Sequence, residues 1–348
     1  MSNAALIKQT EKLTKQLSQA KLPPELEIKA EDLIERLKLM TELGNYSSEY
    51  ERVSQYIAWI TSLPWNKASQ DHLDLKSAKE ILDKHHYGMQ TVKDKILEYL
   101  SVLSLTQGKR EVSRAPILCL VGLVGTGKTT FGPSLAETMK RKYVRIPFGG
   151  LGSARDLRGM SRLHPDAEPG LIVKALRQAG TNNPIFLLDE IDRVTAAARA
   201  DIMGVLVELL DPEQNFRFTD HYLDYPVNLQ NVLFIATANN TRNIATAVLD
   251  RLEVIQMPSY TDEEKTTIAK DYILPHVLTE SGLTKENLSI DEEVWPKIVR
   301  PLGYDAGIRT LERTIKNICH QLARNLVEGQ DKHFHLTLEN IKQYLPDY

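Results

Sequence analysis

The chain has 348 residues, 42% of them hydrophobic and 26% charged, with a formal net charge of −3. That length exceeds one simple core and implies two or three units, while the apolar share suffices for packing without disulfides or metals. The near-neutral charge gives no electrostatic ground for nucleic acid or an anionic membrane as the main partner; an accessory role for nucleic acid stays open without support from composition. Cys119 and Cys319 each sit among apolar residues and read as two separate buried thiols. No stretch is apolar enough to span a bilayer, and the polar first residues are unlike a signal peptide, so a cytoplasmic location is expected.

In chain order, residues 1–65 read as an N-terminal helical stem. Leu6, Leu13 and Leu17 keep helical spacing until Pro23-Pro24; Leu33, Leu37 and Met40 mark a second helix, and Val53, Ile57 and Ile60 a third. Residues 66–76 read as a polar linker. From 77 to 257 short apolar runs alternate with amphipathic helices, the α/β pattern of a parallel sheet between helices, with strands predicted at 117–121, 143–146, 185–188 and 232–236. From 258 to 348 the pattern is helical again. Thr261-Asp-Glu-Glu264 spells a capping box, and Ile298, Leu311, Ile315 and Leu322 supply apolar faces. Trp59, Trp65 and Trp295 read as core anchors, and His333 and His335, lacking a third ligand, as a solvated strand edge.

Gly122-Leu-Val-Gly125-Thr126-Gly127-Lys128-Thr129 fits G-x-x-x-x-G-K-[ST] between an apolar strand and a helix. Glycines let backbone N–H groups wrap phosphate oxygens, and the helix that follows presents its positive end. Lys128 would neutralise the β and γ phosphates of ATP, the Thr129 hydroxyl would bind Mg²⁺, and Thr126 and Thr130 complete the binding segment. Ile185-Phe-Leu-Leu-Asp189-Glu190 places two acids at a strand's carboxyl end, where open α/β sheets bind ligands. Asp189 would hold Mg²⁺ and Glu190 would orient the attacking water. Asn239, after a third strand, would bond the γ-phosphate or that water, or else cap the next helix. Arg251 would complete a neighbouring subunit's site, or pair with Asp250; Arg309 would reach the nucleotide from a lid, or merely decorate its helix.

Glycine loop, Asp-Glu strand end, Asn239, Leu249-Asp-Arg251 and Arg309 follow one another as in AAA+ ATPases, and several stretches resemble Lon-type proteases. These include Lys21-Leu-Pro through Leu63-Pro-Trp65, His86-Tyr87-Gly88, Leu210-Asp-Pro-Glu-Gln-Asn215, Asp220-His-Tyr-Leu-Asp224 and Ala306-Gly-Ile-Arg-Thr-Leu-Glu-Arg313. The resemblance covers nearly the whole chain. It implies an AAA+ P-loop domain with a stem before it and a helical lid after it, and an ATP-driven motor acting on unfolded or damaged proteins. It also implies a homo-oligomeric ring, usually a hexamer. By the same likeness Tyr87 and Gly88 lie near the adenine, Arg251 is a finger acting in trans, Arg309 a lid sensor, and Phe216 to Asn228 a hairpin.

The sequence departs from the family at three places. Its polypeptide-gripping loop carries an aromatic and a β-branched residue where His164 and Pro165 stand here, which shrinks the apolar contact. Leu123-Val124 replaces a proline pair, and Pro133 falls early in the helix after the phosphate loop, where it is expected to shift or kink that helix. The serine–lysine peptidase of a Lon protease is not found in these 348 residues. The rival expectation is therefore a stand-alone AAA+ ATPase, a remodeller or nucleotide-gated assembly module without proteolysis or threading.

Overall fold

The computed structural model describes residues 3–42, 48–106, 117–300, 307–329 and 333–345. Ala306 and the side chain of Leu6, both cited above, lie outside the described residues. Three helices open the chain: α1 (Asn3–Gln19), α2 (Pro24–Glu42) and α3 (Ser48–Ser62). Pro24 opens α2, where its missing amide is harmless, and Glu25 and Glu27 complement the positive end of that helix. The helices bury Leu13, Leu17, Leu26, Ala30, Leu37, Tyr56, Ile57 and Ile60, whereas Met40 is exposed. Helices α4 (Leu75–His85) and α5 (Gln90–Thr106) follow.

Next come β1 (Ile117–Val121), α6 (Phe131–Met139), β2 (Tyr143–Pro147), α7 (Arg155–Arg158), α8 (Leu171–Ala179), β3 (Ile185–Asp189) and α9 (Arg199–Leu210). They are followed by the hairpin of β4 (Phe218–Asp220) and β5 (Tyr225–Val227), then β6 (Leu233–Ala238), α10 (Thr246–Leu249) and β7 (Leu252–Gln256). Five strands form one parallel sheet in the order β2-β3-β6-β1-β7, so β1, β3 and β6 are central and their carboxyl ends share one edge. Alternate residues face opposite sides. Cys119, Val121, Phe186 and Leu188 join a core shared with the stem, whereas Leu118, Leu120, Ile185 and Leu187 join one shared with α4, α5, α6 and the C-terminal helices. Pro133 sits in the first turn of α6, where a missing amide is tolerated.

The stem is fastened to this body at several points. Tyr56 Oη donates to the Leu223 carbonyl at 3.1 Å, Lys29 pairs with Asp224 at 2.6 Å, and Arg177 lies over the Trp59 ring. The polar stretch after Trp65 is strapped down by the Arg141–Asp71 ion pair and by Asn183, which bonds Ser69 and Asp71.

The last part holds α11 (Asp262–Ile268), a π turn over Ala269–Ile273, α12 (Leu274–Glu280), β8 (Leu288–Ile290), α13 (Trp295–Val299), α14 (Arg309–Val327) and β9 (Phe334–Leu336). Thr261 and Glu264 make both bonds of the capping box that starts α11. Ile298, Leu311, Ile315 and Leu322 are buried. Cys119 and Cys319 are buried and unbridged, and burial lifts their thiols to about 12 and about 11. Among the described residues no helix is long and apolar enough to cross a membrane.

Candidate active site at the sheet edge

The turn after β1 is built by glycines. Gly125 and Gly127 take φ of 84° and 85°, a region that disfavours any Cβ. A Cβ on Gly122 would lie 2.7 Å from the Cβ of Met257. Thr126 Oγ1 donates to the Leu123 carbonyl and Thr130 Oγ1 to the Gly127 carbonyl, which tightens the loop from within. Lys128 folds back under it: Nζ donates to the carbonyls of Gly122 (2.7 Å) and Leu123 (2.8 Å) and to Asn239 Oδ1 (3.2 Å). Burial lowers the pKa of this ammonium, while Asp192, Glu190 and Asp189 oppose that shift.

The acidic end of β3 faces the loop. Asp189 is buried, its Oδ1 accepting from Thr129 Oγ1 (3.2 Å) and Thr237 Oγ1 (2.5 Å) and its Oδ2 from Arg145 Nε (2.7 Å). Glu190 adopts a left-handed backbone (φ 58°, ψ 49°), held by its N–H donating to Thr237 Oγ1 at 2.9 Å. Its carboxylate points towards Gly149, where a Cβ would come within 3.2 Å, and pairs loosely with Arg193 at 3.5 Å. Asp192 accepts from the backbone N–H groups of Asn239 and Asn240, fixing the end of β6. Asn239 caps no helix, and its Nδ2 is buried with no hydrogen-bond partner.

Lys128, Thr129, Asp189, Glu190, Asn239 and Arg309 line one cavity of about 160 Å³. Arg309 reaches it as the first residue of α14, because Ile308 N–H donates to the Gly125 carbonyl at 3.0 Å and lays the lid on the loop. A Cβ on Gly307 would lie 2.5 Å from the Val124 carbonyl oxygen, so only glycine permits that approach.

Other expected residues lie elsewhere. Tyr87 and Gly88 sit in the α4–α5 turn beside Tyr272 and Glu264, joined to the loop through Tyr260, whose hydroxyl lies 3.7 Å from Met89 Sδ and 3.7 Å from a Cβ on Gly127. Arg251 is outside the cavity. Its NH1 donates to the Ala247 carbonyl and its carboxylate partner is Asp211, the residue that ends α9, at 3.0 Å, not the adjacent Asp250. His164 and Pro165 are exposed in a separate loop. Arg145, Thr237 and Asp192 were not singled out from the sequence, although each fixes a residue that was. The one available signal was a polar side chain inside or shortly after an apolar strand.

The residues present fit a nucleoside triphosphate with Mg²⁺. An orphaned amide donor, an ammonium and loop N–H groups suit phosphate oxygens, and Asp189 with Thr129 offers the hard oxygen donors that Mg²⁺ prefers. Among the described residues no three His, Cys, Asp or Glu side chains cluster to hold a metal.

Residues 118–260 match the model of the ATPase family associated with various cellular activities, and residues 279–334 that of the Lon protease AAA+ ATPase lid domain. The chain is 42% identical over 329 residues to a Lon protease of Desulforamulus reducens, covering 94% of this chain and 40% of that protein. It is 41% identical over 333 residues to one of Geobacter metallireducens (96% and 40%) and 43% over 334 residues to one of Dictyoglomus thermophilum (96% and 41%). The chain thus spans about two fifths of the length of these curated relatives. With a nucleotide-binding domain of the first kind and a lid of the second, the chain belongs to the AAA+ ATPases, in their Lon protease branch.

Proposed function

We propose that the chain is the ATP-hydrolysing motor of a Lon-type serine protease, moving unfolded or damaged polypeptide towards a proteolytic domain. The supporting observation is the convergence of Lys128, the orphaned Asn239 amide and the Asp189-Glu190 strand end in one cleft under Arg309. Residues 1–65 serve as the stem, 66–76 as linker, 77–257 as the nucleotide-binding domain and 258–348 as the lid.

Loop N–H groups from Gly122 to Thr130 and Lys128 hold the phosphates, with Tyr87 and Gly88 near the base. Mg²⁺, held by Thr129 and, through water, by Asp189, would neutralise charge on the β and γ phosphates. Glu190 orients and polarises the attacking water, Asn239 donates its free amide to the γ-phosphate or that water, and Arg309 stabilises charge from the lid. Arg251 leaves Asp211 to complete the site of the next subunit in a ring, taken to be a hexamer in the cytoplasm.

Glu190→Gln should keep nucleotide affinity and lose at least about a hundredfold in kcat, because a neutral amide cannot polarise water. Full turnover in that variant removes the assigned role. A second reading, a nucleotide-gated assembly module, draws on His164-Pro165 in the exposed loop. ATPase rates with a casein-like unfolded protein, with DNA and with neither separate the two: stimulation by polypeptide favours the motor, and indifference to both favours the module.

A further inference from the structure

A second concavity, of about 740 Å³, lies between the stem and the loop that joins α7 to α8. Its rim carries Arg155, Arg162, His164 and His221, and its floor includes Leu33 and Val53. The loop is held in shape from below. Met160 N–H donates to the Glu168 carbonyl, and Gly170 N–H donates to Asp220 Oδ2, whose other oxygen accepts from Tyr222 and Leu223. Gly170 packs so closely on Leu157 that a Cβ would come within 2.0 Å of its carbonyl oxygen.

Of the cations around this concavity, Arg52 on its wall already has an interaction of its own, and the others divide into two kinds. Lys29 is neutralised by Asp224, Arg158 by Glu208 and Lys174 by Glu168. Arg155 and Arg162 pair with no carboxylate among the described residues. Arg162 is half-buried all the same, with its guanidinium 3.9 Å from the centroid of the Tyr56 ring, and Tyr56 is itself anchored to Leu223. A guanidinium held over a fixed ring has already lost much of its rotamer freedom, so its fork is preset for a carboxylate. Among the described residues that line it Asp224 is the one acid, and Lys29 already answers it.

We infer that this concavity is a grip for acidic stretches of unfolded polypeptide, with Arg155 and Arg162 clasping Asp or Glu side chains while aliphatic neighbours lie on Leu33 and Val53. The inference rests on the motor reading and names the class of chain it engages. Polypeptide suits the concavity better than nucleic acid. Tyr56, beneath Arg162, is fully buried and offers no plate for base stacking, the rings on the rim are the two small imidazoles of His164 and His221, and the floor is aliphatic. In this setting His164 and Pro165 flank a charge-reading groove, and the loop's smaller apolar contact is offset by ion pairing.

The test is fluorescence anisotropy on the full chain with three labelled probes: an unstructured peptide rich in Glu and Leu, its counterpart with Lys for Glu, and single-stranded DNA. Wild type should bind the acidic peptide at least about tenfold tighter than the other two. Arg155→Gln with Arg162→Gln should erase that preference, and Arg155→Lys with Arg162→Lys should restore part of it. Arg155→Gln alone, at an exposed position, gives a partial loss and guards against misfolding at Arg162. Equal affinity for both peptides, no binding to any probe, wild-type selectivity in the double Gln variant, or tightest binding to DNA each overturns the inference. Basal ATPase in the same samples keeps the two readings apart: selective binding without turnover sinks the motor, and turnover without selectivity sinks the grip.

Discussion

His86 stacks on Phe131 with centroids 3.8 Å apart and planes 3° from parallel, and its Nε2 meets Ser134 Oγ at 2.9 Å. Burial, helped by Lys93 and His85, drives its pKa from 6.5 down to about 4. Between those values the unfolded chain takes up a proton that the folded chain refuses, so stability falls as pH drops through this window and levels off below it. The loss between pH 7 and pH 5 is about 2 kcal/mol. In His86→Gln the urea midpoint should therefore fall less over that interval than in wild type; equal falls would place the proton elsewhere. The sequence picks out Lys128, Thr129, Asp189, Glu190, Asn239 and Arg309 by the spacing of loop and strand ends, and the fold brings these six to one cavity. Arg145 and Thr237 were not legible, since they meet Asp189 across neighbouring strands. That juxtaposition follows from strand order, which no local pattern encodes.

At the level of elements, Thr261 shows how firmly a local signal can be written. Its side chain accepts from Glu264 N–H at 3.2 Å while Glu264 accepts from Thr261 N–H at 2.9 Å. Thr261→Ala should lower stability by about 1 kcal/mol, read from the urea midpoint, and Thr261→Ser should lower it far less. Four strand cores were found to within two residues at either end: β1, β3 and β6, buried on both faces, read as unbroken hydrophobic stretches, and the edge strand β2 reads by alternation, with Val144 and Ile146 inward and Arg145 outward. The π turn of Ala269–Ile273 left no such mark. The turn continues directly from α11 into α12 and packs against α14, a contact remote in sequence, and Ala-Lys-Asp-Tyr-Ile carries no local signal for it.

For the whole molecule, the telling contact is between Gly307 and the turn at Val124-Gly125. The lid meets the phosphate loop there through main chain, with Ile308 N–H on the Gly125 carbonyl. Gly307→Ala should push the lid away, raise KM for ATP by about tenfold and leave the urea midpoint nearly unchanged. An unchanged KM would separate lid seating from nucleotide capture. The same joint works as a thickness gauge. Two backbones meet with no side chain between them, so anything wider than a hydrogen atom wedges them open, whatever its polarity. A ligand entering beneath Arg309 would therefore be registered first by its girth, and only afterwards by its charge.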